Sequence, residues 1–137
     1  MVLTAADEDT AIAVDVIPGQ ASDAPLIGPM LGATAERVRV IDEVVADKGF
    51  DGDPQRRACV DRDVFPNIPN KANRVNRWPF DRRAYRGRNR VERLFGKAKQ
   101  FRRFATRYEK LRSTYLGVVH LVLGFIRLRR LRNVNRP

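Results

Sequence analysis

Residues 81–104 read DRRAYRGRNRVERLFGKAKQFRRF. Stepping 100° per residue from Tyr85 gathers Val91, Leu94, Phe95, Ala98 and Phe101 into one arc of about 120°. That is the width of an apolar stripe that packs on a sheet or another helix. Tyr85, Arg88, Glu92 and Lys99 fall within about 60° of one another on the adjoining arc. They stand at the border between core and solvent, where a cleft would open. Glu92 is the exception in this run, being the one acidic residue between Arg82 and Arg107 against eleven Lys and Arg. A surface that only gripped phosphates has no electrostatic reason to keep a carboxylate there. A phosphoryl-transfer site does, because divalent metals need carboxylate ligands beside the cations that hold the strand. The plain alternative is an ion pair with Arg88 one turn earlier, and spacing alone does not separate the two.

Working outward, the helical period resumes from about Lys110 to Leu131, with Leu111, Tyr115, Val118, Val119, Val122 and Ile126 at core spacing. His120 lies inside this apolar run and reads as a packed core histidine. Upstream, Ala11–Ile17 (AIAVDVI) alternates and is rich in β-branched residues, so it reads as a strand closed by Pro18-Gly19, with Met1–Ala6 as its hairpin partner. Ser22 or Asp23 can cap a helix over Pro25–Thr34. Val38–Ala46 (VRVIDEVVA) reads as another strand, ending at Asp47 and the turn Lys48-Gly49-Phe50. Asp47 therefore follows an apolar strand, at the end where α/β sheets place their sites. By itself it is equally a turn-initiating Asp. Asp53 is expected to cap a helix running to Asp61, with Cys59 buried and inert. A brief strand over Phe65–Ile68 comes next. The remainder of Pro66–Pro79 (PNIPNKANRVNRWP) is a loop on its prolines and asparagines. The layout is α/β, with strands, short helices and a basic loop in residues 1–80 and a helical region over 81–137.

At 137 residues, 43% hydrophobic and 31% charged, the chain has the composition of one globular domain. One Cys and one His exclude an internal disulfide framework, a Cys/His zinc site and a Ser-His-Asp relay independent of His120. The start MVLTAADEDT lacks the pattern of a secretory signal. The longest apolar run, Tyr115–Ile126, is shorter than the ~20 residues of a membrane span. Charge is very unevenly placed. Residues 1–65 hold 6 basic and 13 acidic side chains, residues 66–137 hold 21 and 3. The second half is expected to face a polyanion, most economically nucleic acid. Trp78 and Phe80, among Arg74, Arg77, Arg82 and Arg83, either stack on unpaired bases or anchor their loop. A basic RNA-binding protein would share the charge but leaves Glu92 without an account.

The string Tyr85-x-x-Arg88-x-x-x-Glu92-x6-Lys99 resembles the Y-(2)-R-(3)-E-(6)-K signature of bacterial insertion-sequence DDE transposases of the IS-five and IS-four-like group. The segments IPGQASD, ADKGFDGD, NIPNKANR and NRVERLFGKAKQFRRFATRYEKL are similar to the same family in the same order, so the resemblance covers almost the whole chain. It implies a ribonuclease-H-like core in which two Asp and one Glu hold two Mg2+ or Mn2+ ions. Such enzymes cut a phosphodiester at the transposon end, and the freed 3′-hydroxyl then attacks target DNA.

Residue by residue, the resemblance makes Asp47 and Glu92 catalytic metal ligands, with Tyr85, Arg88 and Lys99 contacting DNA. Lys71, Arg74, Arg77, Arg102 and Arg103 are added as DNA-binding cations. The family's first Asp belongs to a central strand upstream of the segment where this sequence starts, and Asp7, Asp9 and Asp15 do not match its place. The expectation is an N-terminally truncated core lacking its first strand, inactive alone. Its partners would be transposon and target DNA, and an upstream transposase half or a second copy. No membrane or nucleotide cofactor is expected, and the compartment is the bacterial cytoplasm at the nucleoid. The alternative is a non-catalytic DNA-binding fragment that inhibits an intact transposase.

Overall fold

The structure, a computed structural model, describes residues 1–18, 21–107 and 109–134. The alternating N-terminal segment forms an antiparallel hairpin of β1 (Val2–Asp7) and β2 (Thr10–Asp15), as expected. Alternation gives it two faces. Leu3 and Val16, with Met1, Ala5, Ala11 and Val14, enter a core shared with the C-terminal helices. On the other face Thr4 meets Thr34 of α1 (Ile27–Ala35), hydroxyl to hydroxyl at 2.7 Å. Pro25 lies in a 3-10 turn, Ala24–Leu26, that leads into α1.

A second strand pair is parallel. β3 (Glu43–Val45) runs beside β4 (Phe65–Asn67), joined through a 3-10 turn at Lys48–Phe50 and α2 (Asp53–Val60). Ile27 and Leu31 of α1 pack with Cys59, Val64 and Ile68 to form the core of this half. Among the described residues the strands form two separate two-stranded sheets, in a mixed α/β architecture.

Three of the expected elements are corrected. The strand expected over Val38–Ala46 is reduced to Glu43–Val45, because Arg37 and Val38 N–H groups bond back to the Thr34 carbonyl and leave Val40 71% exposed. Asp53 is the first helical residue of α2 and Gly52 is its cap, so the Asp53 carboxylate is left for Arg74. The continuous helix over 81–104 is segmented. α3 (Arg82–Tyr85), a 3-10 turn at Arg86–Arg88 and α4 (Asn89–Lys99) precede a break at Phe101, whose extended backbone opens α5 (Arg102–Thr106). That break lets Phe104 turn into the core, where its carbonyl accepts from the Tyr115 hydroxyl at 2.9 Å.

The last helix, α6 (Arg112–Val134), buries Tyr115, Val119, Val122, Leu123 and Ile126. His120 and Leu111, expected in the core, are exposed, since His120 lies on the outer face of α6 with the exposed Leu121 beside it. Cys59 is fully buried as expected. No helix among the described residues is long and apolar enough to cross a membrane.

Candidate active site

Asp47 stands two residues beyond the end of β3, where the Ala46 N–H still bonds to Asn67 of β4. Its Oδ1 accepts from the Gly49 N–H at 2.7 Å, as a turn-initiating Asp does. A Cβ at position 49 would come within 2.8 Å of that same oxygen, so glycine is what allows the turn to close on the carboxylate. The other oxygen, Oδ2, is turned toward Arg88, 3.8 Å from Nη2.

Glu92 lies in the first turn of α4, and its Oε1 accepts from Arg88 Nη1 at 2.6 Å. The helical ion pair weighed as the plain alternative is therefore present. The same guanidinium also reaches Asp47, 41 positions earlier in the sequence. Both carboxylates are half-exposed. Glu92 and Lys99 line one cleft of about 500 Å³ together with Phe95, Gly96, Phe104 and Tyr115. This is the border position that the helical arithmetic anticipates.

Two hard oxygen donors converging on a site that already holds a cation fit a divalent metal. They are only part of a metal site, since the described residues contain no group of three His, Cys, Asp or Glu able to hold one.

The other singled-out residues divide by what they touch. The Tyr85 ring stacks edge-on against Phe80 at 5.1 Å. Among the described residues, Lys99, Lys71 and Arg77 extend exposed side chains without an ion partner. Arg102 is exposed. Arg103 pairs with Glu109 at 3.0 Å. Arg74 is drawn inward onto Asp51 and Asp53. Trp78 lies over the Arg56 guanidinium, 5.5 Å from its ring centre, and so anchors its loop.

Sequence reasoning passed over the hub beneath that loop. Arg56, wholly buried, donates to Asp51 at 2.8 Å and to the carbonyls of Pro66 and Ile68. Asp51 also accepts from the Lys71 N–H at 2.6 Å. Burial opposes its ionisation, but that N–H bond, the Arg56 bond and the charges of Arg56 and Arg74 outweigh it and hold its pKa below the ordinary value. Asn67 and Asn70 each exchange two hydrogen bonds with a backbone across the loop, Asn67 with Asp81 and Asn70 with Trp78. The clustering of asparagines with prolines was the available signal, but it marks a loop without naming partners.

A family described as "Transposase DDE domain" matches residues 44–129, a span that contains both Asp47 and Glu92. This chain belongs to the DDE transposase family. It is also 32% identical over 114 residues to a Brucella ovis protein titled "Putative transposase for insertion sequence element IS6501", covering 82% of this chain and 84% of that one. No solved structure matches. DDE transposases act on DNA and generally use divalent metal ions. In this member, the acidic turn after β3 and the basic helix α4 are joined by Arg88.

Proposed function

We propose that this transposase binds transposon-end and target DNA for metal-dependent phosphodiester cleavage and strand transfer, with Asp47 and Glu92 as two of its metal ligands. The observation that carries the reading is the meeting of Asp47 and Glu92 on one guanidinium, beside the cleft that Glu92 lines. When bound, Mg2+ or Mn2+ would polarise the scissile phosphodiester and its attacking oxygen. Asp47 and Glu92 would hold the ion through their free oxygens. Tyr85 and Arg88, with Lys99, Lys71, Arg77 and Arg102, are read as DNA contacts. Arg82, Arg83 and Arg86, exposed just before Arg88 and without ion partners among the described residues, extend that basic face. Arg74 and Arg103, which the sequence reading includes, are committed to carboxylates and are read as supports of that face.

The two strand pairs are read as parts of a ribonuclease-H-like sheet that a further strand would join. That strand would bring a third carboxylate, from a longer chain, an upstream transposase half or a second copy. On this reading residues 1–137 bind DNA but do not cut it unaided, at the bacterial nucleoid and without a nucleotide cofactor. The two-carboxylate site equally favours a second reading, a non-catalytic DNA-binding protein that inhibits an intact transposase.

The test is a nicking assay on a duplex carrying the element's terminal repeat, with Mn2+. This chain is expected to bind and not cut. Supplying the upstream segment should restore cutting, and Asp47→Asn or Glu92→Gln should remove it again. Cutting by this chain alone that Glu92→Gln abolishes would overturn the claim of inactivity. No cutting under any combination would leave the inhibitor reading standing in place of the first.

A further inference from the structure

Arg88, in the 3-10 turn before α4, does more than pair with Glu92 four residues later. One nitrogen, Nη1, donates to Glu92 Oε1 at 2.6 Å, while the other terminal nitrogen, Nη2, faces Asp47 Oδ2 at 3.8 Å. Asp47 Oδ1 is taken by the Gly49 N–H, so the oxygen facing Arg88 is the one left for another ligand. The side chain is one-third exposed and both carboxylates are about half exposed. Exposed ion pairs of this kind are weak, so a competing ion can displace the guanidinium. Two carboxylates held on one guanidinium repel one another once that cation leaves, unless another takes its place.

We infer that Arg88 is a resident counter-ion, occupying the place between Asp47 and Glu92 that a divalent cation would take, so that metal entry and Arg88 release are one event. The inference rests on the reading of Asp47 and Glu92 as metal ligands. Before metal binds, Arg88 keeps the two carboxylates gathered and their repulsion neutralised. Once displaced, its planar fork is free for the geometry it matches best, two oxygens of a phosphate. Metal binding then raises the affinity for a DNA phosphate, and by linkage DNA raises the affinity for metal. Arg88 is a positioning residue in this scheme, acting through the carboxylates and the phosphate it passes between.

The test is Mn2+ binding by this chain, read from the loss of the free-ion electron paramagnetic resonance signal. Arg88→Ala is expected to tighten Mn2+ binding by roughly fivefold or more. Arg90→Ala removes the same charge two residues later, from a residue that touches neither carboxylate, and is expected to change affinity by less than about twofold, since exposed charges are screened. Circular dichroism establishes that each variant is folded, and Arg88→Gln supplies a second neutral side chain with the same expected gain. In a parallel titration, fluorescence anisotropy of a labelled duplex at constant ionic strength should show Mn2+ strengthening DNA binding by the native chain and not by Arg88→Ala.

If Arg88→Ala and Arg88→Gln bind Mn2+ no tighter than Arg90→Ala, while Glu92→Gln still weakens binding, the counter-ion role is overturned and the metal ligands stand. If Glu92→Gln and Asp47→Asn bind Mn2+ as the native chain does, the ligand assignment falls and this inference falls with it.

Discussion

The Arg56 guanidinium and the Asp51 carboxylate meet at 2.8 Å with neither side chain exposed to solvent. Around them close the turn after β3, helix α2 and the start of the basic loop, through Asp51 to Lys71 and Arg74 and through Arg56 to the carbonyls of Pro66 and Ile68. Removing one partner strands a buried charge, which costs about 3–5 kcal/mol. Arg56→Ala and Asp51→Ala should each lower the urea midpoint accordingly. The double variant should lose less than the sum of the two.

The same carboxylate predicts an acid limb in stability. The folded Asp51 has a pKa below the ordinary 3.8, so the unfolded chain binds the proton more readily. Its contribution is complete above the unfolded value and fades as pH falls through the lowered folded one. Asp7 adds in the same direction. Burial opposes its charge, but the Asp9 N–H, Thr10, Arg130 and Arg127 outweigh it. Urea midpoints measured downward from about pH 5 should fall in the native chain and fall less steeply in Asp51→Asn.

Cys59 is wholly buried, and that burial pushes its thiol up to about 11 against the opposing charges of Arg56 and Arg62. Reaction with an aromatic disulfide reagent near pH 8 should be slow in the folded chain and rapid in denaturant, because the thiolate is the reacting form. Fast labelling of the folded chain would mean that α2 opens locally.

Asn70 closes the base of loop 71–77 with two bonds to Trp78, at 2.9 and 3.0 Å. Asn70→Ala should loosen that loop without unfolding the domain. Limited trypsin digestion should then cut faster at Lys71 and Arg77, with the thermal midpoint changed little.

DNA affinity should fall steeply as salt rises, in proportion to the phosphates neutralised. Lys99→Ala should reduce the slope of log affinity against log salt by about 0.9. Arg74→Ala should act chiefly on stability, since that side chain is 12% exposed and held by two carboxylates. Anisotropy titrations at several salt concentrations measure both.

The hairpin of β1 and β2, the helix over Pro25–Thr34, the apolar stripe of α4 and the α6 positions Tyr115, Val119, Val122 and Ile126 were legible from period and turn residues. These signals are local: alternation sets a strand's two faces and 3.6-residue spacing sets a helix's buried stripe. The family was legible too, because four residue types at four fixed spacings can be read from a single sequence. The buried pair of Arg56 and Asp51 was not, nor the exposure of His120. An ionic residue is buried only when the chain supplies enough partners from distant segments, and the sequence carries no mark of which segments those are. Composition and spacing determined that this chain has an acidic half, a basic half and one anomalous carboxylate in the second. Only the tertiary structure decided that Arg88 spans the two, because the reach from the start of α4 to the turn after β3 depends on how separate elements pack.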